Sequence, residues 1–314
     1  MSTISGREES SELYQQRGLS RKAQDNLTIV LFLLPAFLFI FLFQIYPLSR
    51  SVYYSFFDWK GFGPPTDNVG WGNFVQLLGD KMFWSSVWHS VLIVILSLGI
   101  QLPVAMLLAL LVERDLPGRT FFRSLLFLPF VFSEVIIGLI WQTMFDPEPQ
   151  YGLLNAILQQ LGLSTQNFLG NPDQALGSVF AALTWQYFGL HMLLYIAGLQ
   201  NVPKELEEAA RIDGATEIQT VWNITLPMIG NAIRTSVYLS MLGALQIFGV
   251  IWIMTRGGPI FASETMATYM YRSAFLKFSL GYGSAVAVVM LVISLIFSIV
   301  YQRLAGRHDY IGGI

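Results

Sequence analysis

Long apolar runs alternate with polar segments along most of the chain. From residue 27 onward the apolar runs reach about 20 residues, the length at which a helix crosses the hydrocarbon core of a bilayer. The pattern therefore predicts an all-α fold, a polytopic transmembrane helical bundle. Its six predicted spans cover residues 27–46, 87–112, 121–145, 176–199, 232–254 and 284–304.

The two ends of the chain differ from this bundle in composition. Residues 1–26 are polar and mixed in charge and are predicted to form a tail, and residues 309–314 form a second, short tail. The first apolar run has the position of a signal peptide, but no small-residue cleavage site follows it in YPLSRS. A retained anchor is therefore favoured, and residues 27–308 are predicted to form one transmembrane domain.

A polar stretch at residues 205–227 separates the fourth and fifth apolar runs. Pro203 suits the first turn of a helix, three Glu residues follow near the positive end of the helix dipole, and Gly214 is a natural stop. Thr216 can cap a second helix. We predict two short helices over about 203–222, which either dock on another protein or lie on the membrane surface as an amphipathic connector. The apolar side chains available for contact are Leu206, Ile212 and Ile218.

The distribution of Lys and Arg predicts the orientation. Of the 18 such residues, twelve fall in the N-terminal tail, the second-to-third-span connection, the region around 205–227 and the C-terminus. Six fall in the other connections. Because cytoplasmic segments carry the excess of positive charge, both termini and the 205–227 stretch are predicted to face the cytoplasm.

Composition agrees with a membrane protein. The chain is 54% hydrophobic and 12% charged, more apolar than a soluble domain of 314 residues needs. Its formal net charge of -2 gives no reason to expect nucleic acid as a partner. The chain has no Cys and its three His residues are widely scattered, so neither a metal site nor a cofactor is predicted.

Three polar side chains fall inside the predicted spans at a similar depth. Counted along straight helices from the charged ends, Glu134 lies about 16 Å deep, Gln246 about 18 Å and Gln186 about 20 Å. These depths are close to the middle of a hydrocarbon core about 30 Å thick. Polar groups are costly in a bilayer, so they indicate a solute pathway or contacts between helices. The aromatic residues beside them are Phe130, Trp185, Tyr187 and Phe248.

Aromatic rings next to amide and carboxyl groups suit a sugar, because rings pack on its apolar face while polar groups pair with its hydroxyls. Alternatively, Gln186 and Gln246 only hydrogen-bond to neighbouring helices or to a partner subunit. Glu134 needs a partner, water or a proton, so it either contacts the substrate or pairs across a subunit interface. His191 is more simply a packed polar residue.

The remaining connections, residues 47–86, 146–175 and 255–283, are long and are predicted to lie outside the cell. Loops of this length suit contact with a soluble protein, and plain linkers are the alternative. The third loop opens with a tight turn formed by Gly257, Gly258 and Pro259.

The spacing within the polar stretch matches a known signature. A Glu-Ala-Ala triplet is followed, after three residues, by a glycine and, after nine more, by an Ile-x-Leu-Pro sequence. This spacing reproduces the EAA signature of ABC-importer permeases without a gap. The chain therefore resembles that family. The matching residues are Glu208, Ala209, Ala210, Gly214, Ile224, Leu226 and Pro227.

From about residue 27, the whole chain resembles the carbohydrate-uptake permeases of the maltose-importer type, specifically the larger permease of the pair. The other positions that carry this resemblance are Tyr46, Pro47, Ser55, Phe56, 71–74, Leu128, Pro129, 138–141, Gly257, Gly258, Pro259, Glu264, Thr265 and 281–283. Glu134 departs from the pattern, since the family usually carries a small or neutral residue there. Gln186, Tyr187 and Gln246 differ from the maltose pattern, so the particular sugar does not transfer.

The resemblance implies a type I ABC importer fold and a defined set of partners. These are a sister permease, an ATP-binding ATPase dimer and an extracytoplasmic sugar-binding protein, assembled in the inner or plasma membrane of a prokaryote. The 203–222 segment would be the cytoplasmic coupling helix, and the sugar would bind on the third, fourth and fifth spans. The residues assigned to coupling are Glu208, Ala209, Ala210, Arg211, Asp213, Gly214, Leu226 and Pro227. The residues assigned to substrate binding are Phe130, Glu134, Trp185, Gln186, Tyr187, Gln246 and Phe248. The residues assigned to contact with the binding protein are Gly257, Gly258 and Pro259.

The sequence thus predicts a non-catalytic membrane subunit that moves a sugar by alternating access. No phosphate-binding glycine-rich loop with its Lys is present, so ATP hydrolysis would come from a partner. A proton-coupled secondary sugar transporter, with Glu134 as the proton carrier, is the main alternative. A membrane-embedded enzyme or a scaffold is a weaker one, because no paired carboxylates or nucleophile–base pair is visible.

Overall fold

The computed structural model describes residues 21–113 and 117–305, which are predominantly helical. The chain divides into two compact units, Met1–Tyr53 and Tyr54–Ile314. Most of the predicted N-terminal tail, residues 1–20, and the predicted C-terminal tail, residues 309–314, lie outside the described residues.

The first unit contains one long apolar helix. Helix α1 (Arg21–Ile40) continues through a π-helical turn (Phe41–Ile45) into α2 (Tyr46–Tyr54). Its stretch Thr28–Tyr54 has a mean hydropathy of 2.6, which suits a membrane span. Because α1 begins at Arg21, the last six residues of the predicted tail are helical.

The second unit is a succession of helices whose longest non-helical connections are residues 55–71, 161–171 and 255–265. Three π-helical turns interrupt or extend them: Ser97–Gln101 between α4 and α5, Val221–Thr225 between α11 and α12, and Arg272–Leu276 after α15. The helices are α3 (Gly72–Leu78), α4 (Lys81–Leu96), α5 (Leu102–Glu113), α6 (Arg119–Val131), α7 (Glu134–Met144), α8 (Leu153–Gln160), α9 (Pro172–Leu199), α10 (Lys204–Ile212), α11 (Glu217–Thr220), α12 (Leu226–Met228), α13 (Gly230–Gln246), α14 (Gly249–Met254), α15 (Met266–Tyr271) and α16 (Leu280–Ala305).

The predicted membrane bundle is confirmed, but two of its spans are not straight helices. Among the described residues, four helical stretches are long and apolar enough to cross a membrane, and the bent pair α6 and α7 would make a fifth. This pair meets at 98°. The predicted span at 232–254 is divided between α13 and α14. The count of six spans stays a prediction.

Helix α9 is the most buried of the four candidate spans. In its apolar segment 61% of the residues are buried, against 33% in the span formed by α4 and α5. Asn171 caps the helix by accepting a hydrogen bond from the amide of Asp173, and Pro172 occupies the first turn. Its mean hydropathy of 1.3 is the lowest of the four, as suits a helix that contacts protein rather than lipid.

Polar side chains connect the helices inside the second unit. The Ser97 hydroxyl lies 2.6 Å from Oε1 of Gln101 and 2.6 Å from Oγ of Ser240, which joins the α4–α5 turn to α13. Nδ1 of His191 lies 2.7 Å from Oγ of Ser236. His191 is therefore the packed polar residue that was predicted. Such bonds join helices where an unpaired polar group would be costly.

A polar cluster joins the start of α4 to α15 and α16. Asp80 caps α4 by accepting from the amide of Met82, and its Oδ2 accepts from the hydroxyls of Tyr269 and Tyr282. Burial alone would raise the pKa of Asp80, but these hydrogen bonds favour the ionised form and hold the pKa below its ordinary value. The cluster therefore stabilises the fold while Asp80 is ionised.

We expect Asp80→Ala to lower the free energy of unfolding by about 1–3 kcal/mol, because a helix cap and two hydrogen bonds to a charged group are lost. A carboxyl whose folded-state pKa is depressed contributes stability above its unfolded pKa and loses it as the pH falls through the folded value. In thermal unfolding of the purified complex, the wild type should therefore lose stability more steeply below about pH 4 than Asp80→Asn. Parallel pH profiles for the two proteins would contradict this role of Asp80.

Candidate functional site

Two of the predicted spans, residues 121–145 and 232–254, are interrupted at or beside residues that the sequence assigned to substrate binding. Helix α6 ends at Val131, the next two residues are extended, and α7 begins at Glu134. The hydroxyl of Ser133 caps α7 by accepting from the amide of Ile136. The depth of Glu134 counted along a straight helix therefore does not hold, because the chain turns before it reaches this residue.

The second break separates α13 from α14. Gln246 is the last residue of α13, Ile247 is extended, and α14 begins at Gly249. A break inside a span frees main-chain groups that need partners. The carbonyl of Ile247 finds one in the hydroxyl of Thr265, at 3.1 Å.

Helices α7 and α14 start side by side. A Cβ placed on Gly249 would lie 1.9 Å from Oε2 of Glu134, and a Cβ placed on Gly138 would lie 2.7 Å from the Ile253 side chain. The close contacts recur four residues later in both helices, so the two helices run in the same direction. Only glycine at position 249 leaves room for the Glu134 carboxyl group in this position.

Glu134 has the partner that a carboxyl group in a span requires. The Tyr187 hydroxyl donates a hydrogen bond of 2.9 Å to Oε1 of Glu134. The Phe130 ring lies edge-on to the Tyr187 ring, with centroids 6.0 Å apart. Three predicted residues from α6, α7 and α9 thus form one cluster, with Gly249 of α14 against it. We call Glu134, Tyr187, Phe130 and Gly249 the break cluster.

The other predicted substrate residues are close in sequence to this cluster: Trp185 and Gln186 precede Tyr187 on α9, and Gln246 and Phe248 precede Gly249 at the second break. Trp185 contacts Trp141 of α7, with ring centroids 5.9 Å apart. Gln186 is buried, and its Oε1 has no hydrogen-bond partner among the described residues. Gln246 is exposed at the end of α13. Within the described chain, no hydrogen bond joins either amide to Glu134 or Tyr187, so the three polar side chains do not form a single network.

Phe248 belongs to an aromatic group that sequence reasoning missed. Its ring stacks on Trp252 at 5.7 Å and contacts Tyr271 at 5.1 Å. Trp252 could have been found, because residues four apart on a helix share a face. Tyr271 has no local signal, since only the fold brings α15 to α14.

The polar stretch forms the two predicted short helices. α10 begins after Pro203, with Glu205 and Glu207 in its first turn and Arg211 in its last, as the helix dipole favours. Asp213 follows the helix, and Gly214 has a φ of 86°, which confirms the predicted stop. Thr216 and Gln219 form a capping box at the start of α11.

The two short helices form one polar knob with exposed apolar side chains. The Thr225 hydroxyl donates to Oε1 of Glu207 at 3.0 Å, which ties the π-helical turn after α11 to α10. Ile212 is 86% exposed and Trp222 67%. Leu226 instead packs on the core beside Ile229, so it supports the knob from within. A cleft of 710 Å³ lies next to the knob and is lined by charges of both signs, including Glu113, Arg119, Lys204, Glu208, Arg211 and Glu217.

The Gly257–Pro259 turn is stabilised by buried residues of the protein. Gly257 has a φ of 82° and is buried; a Cβ there would lie 2.7 Å from Oε2 of Glu264. Glu264 is itself buried and pairs with Arg272 at 3.0 Å. Burial raises the pKa of Glu264, although the hydrogen bond and charge of Arg272 oppose this effect. The side chain most available to another protein is therefore Ile260, which follows the turn and is 85% exposed.

Comparison with known proteins agrees with this architecture. Residues 101–309 match the family model described as "Binding-protein-dependent transport system inner membrane component". The chain belongs to this family. The match includes both breaks, the knob and the Gly257–Pro259 turn, so all of these features lie within the part of the chain that defines the family.

Relatives of the chain cover nearly its full length. It is 37% identical over 284 residues to the "Probable ABC transporter permease protein YurN" of Bacillus subtilis (strain 168), covering 89% of this chain and 96% of that protein. It is 33% identical over 286 residues to the "Sulfoquinovosyl glycerol transport system permease protein SmoG" of Agrobacterium fabrum (strain C58 / ATCC 33970), covering 91% and 92%. The chain is thus a membrane-embedded ABC-importer permease, a transport subunit that crosses the membrane several times.

A solved structure shows the same fold. A chain of a "bacterial alginate ABC transporter in complex with alginate pentasaccharide-bound periplasmic protein" superposes with a TM-score of 0.80 at 22% identity, covering 91% of this chain and 96% of that one. The ABC-importer permease fold predicted from the sequence is therefore confirmed. Membership of this family does not favour a proton-coupled secondary transporter.

Proposed function

We propose that this permease imports a sugar or sugar derivative delivered by an extracytoplasmic binding protein, and that ATP hydrolysis by a partner ATPase dimer drives the import. The observation that carries the proposal is the polar knob within a chain that matches an importer family over residues 101–309. A sister permease would complete the pathway. The names of similar proteins support a glycosidic substrate. One relative is named as the permease of a sulfoquinovosyl glycerol transport system, and a structural neighbour belongs to an alginate transporter.

The knob is the proposed coupling element. Its exposed Ile212, Ile218 and Trp222 offer apolar contact to a groove of the ATPase, and the low relief of Ala209 and Ala210 allows a close approach. Arg211 and Asp213 add charge at the end of α10. The Thr225–Glu207 bond holds the knob together, and the partly buried Leu226 packs on the core and so connects the knob to the helices behind it.

The substrate site proposed here is the region of the two breaks. Breaks in spans are tolerated where the chain is buried in protein or lines a cavity, and in transporters they supply binding groups near the middle of the membrane. The break cluster offers a carboxyl group, a hydroxyl and aromatic rings for a sugar. Trp185 and Gln186 lie beside Tyr187 on α9, and Gln246 and Phe248 lie at the second break. Alternating access would expose this region first to the outside and then to the cytoplasm.

The orientation can be tested cleanly because the chain has no Cys. Ile212→Cys in the knob and Ile260→Cys beside the outer turn form a matched pair, with native side chains 86% and 85% exposed. In intact spheroplasts, a membrane-impermeant maleimide should label Ile260→Cys within minutes and Ile212→Cys only after permeabilisation. Labelling of Ile212→Cys from the outside would reverse the proposed orientation and remove the coupling role.

The same preparations test both partners and the energy source. Adding the ATPase to permeabilised membranes should protect Ile212→Cys from the maleimide, whereas the binding protein should protect Ile260→Cys. In proteoliposomes, sugar uptake should require ATP inside the vesicles and binding protein outside. Uptake that persists without ATP and follows a pH gradient would support the proton-coupled alternative instead.

A further inference from the structure

The break cluster contains a carboxyl group that forms no salt bridge with any described residue. Glu134 accepts one hydrogen bond, from the neutral Tyr187 hydroxyl. Among the described residues, no salt bridge to Glu134 is found; the Arg123–Glu113 pair lies toward the knob and the Arg272–Glu264 pair lies beside the outer turn. The Glu134 side chain is only partly buried among the described residues.

The geometry explains how a single carboxylate is tolerated here. Glu134 is the first residue of the 11-residue helix α7, where the helix dipole favours a negative charge. Gly249 leaves space for Oε2. In many transporters, the start of a broken helix faces an anionic group of the substrate. In this chain, the carboxyl group of Glu134 already occupies that position.

We infer that this permease carries neutral or positively charged sugars, such as hexosides or amino sugars, and discriminates against sugar acids, sugar phosphates and sulfonated sugars. The inference rests on the proposed substrate site at the breaks. A second negative charge brought within a few ångströms of Glu134 in a medium of low dielectric constant is strongly repelled, whereas an ammonium group is attracted. The acidic cargo of the alginate and sulfoquinovosyl glycerol systems therefore does not carry over to this chain.

The test uses three probes of the same ring size that differ in charge: glucosamine, glucose and glucuronate. Their binding to the purified complex with its sister permease and ATPase is followed by tryptophan fluorescence, since Trp141 and Trp185 lie near the cluster. The wild type should bind glucosamine at least about tenfold more tightly than glucuronate, with glucose between them. Glu134→Gln should bring the two charged sugars to within about threefold of each other, mainly by improving the affinity for glucuronate.

Two control variants separate charge from structure. Tyr187→Phe keeps the ring and the carboxyl group, so it should keep the order of the three sugars even if all of them bind more weakly. Glu148→Gln removes a carboxylate from an exposed loop and should leave every affinity unchanged. Loss of the charge order in Tyr187→Phe, or equal binding of glucuronate and glucosamine by the wild type, would overturn the inference.

Failure of this inference can be told apart from failure of the proposed function. If the complex imports sugar with ATP but binds none of the three probes, or keeps its charge order in Glu134→Gln, the selectivity does not reside at Glu134 and the inference is wrong. If ATP-driven import is absent altogether, the proposed function fails. A cargo that bears a carboxylate, phosphate or sulfonate, found bound to the partner binding protein, would also overturn the inference.

Discussion

Gly214→Asp should reduce ATP-driven sugar uptake by at least about tenfold, because it places a new negative charge at a proposed docking surface. Gly214 is exposed, and nothing lies within 4 Å of a Cβ at this position, so the new side chain meets no obstacle within the permease. Its neighbours Asp213 and Glu217 are already acidic. The added carboxylate should therefore act on the ATPase rather than on the fold of this chain.

The matched control is Gly214→Asn. Asn has the shape of Asp without the charge, and both tolerate the positive φ of 86° better than other non-glycine residues. Both variants share a backbone strain of about 1 kcal/mol, so the difference between them reports the charge. Uptake and ATPase activity of reconstituted complexes should be near normal in Gly214→Asn, while Gly214→Asp should lose uptake and either lose the ATPase subunit or hydrolyse ATP without transport. Equal uptake by the two variants would remove Gly214 from the docking surface.

Gly189→Ala should destabilise the permease by about 1–3 kcal/mol, the usual cost of overpacking. A Cβ at Gly189 would lie 2.5 Å from the carbonyl oxygen of Leu126 and 2.9 Å from Cα of Phe127. Both contacts are with the backbone of α6, so α6 and α9 must move apart. Because α6 carries Phe130 of the break cluster one turn further on, substrate affinity should fall as well.

Gly177→Ala is the control for this substitution. Gly177 lies on the same helix, and nothing is found within 4 Å of a Cβ there, so Ala should be neutral or should stabilise α9 by up to about 1 kcal/mol. Thermal unfolding of the purified complexes should place Gly189→Ala below the wild type and Gly177→Ala at or above it. Similar midpoints for the two variants would mean that α6 and α9 are less closely packed than described.

Sequence reasoning succeeded where the signal is local. The knob was predicted from Pro203, Gly214 and Thr216, and each of these acts within a few residues of itself as a helix start, stop or cap. The membrane-bundle prediction was equally local, since an apolar run of sufficient length specifies a span by itself. The fold class could therefore be predicted from the sequence.

The breaks were not predicted, because hydrophobicity continues through them. Residues 121–145 and 232–254 read as uninterrupted apolar runs, although Pro129 near the end of α6 and Gly249 at the start of α14 are residues that commonly accompany a break. What stabilises each break is distant in sequence. Tyr187 lies 53 residues from Glu134, and Thr265 lies 18 residues from Ile247. Such contacts are visible only after the helices have packed.

The bond from Thr265 to the Ile247 carbonyl links the break to the segment that follows the Gly257–Pro259 turn. On either side of Thr265, the Glu264 carbonyl lies 2.9 Å from Nδ1 of His89, and the amide of Met266 donates to Ser90. Three consecutive residues thus fasten the segment after the Gly257–Pro259 turn both to α4 and to the interrupted span. A soluble protein that bound Ile260 and displaced the turn would therefore displace the break at Ile247 as well, because the fastened chain between them cannot absorb the motion.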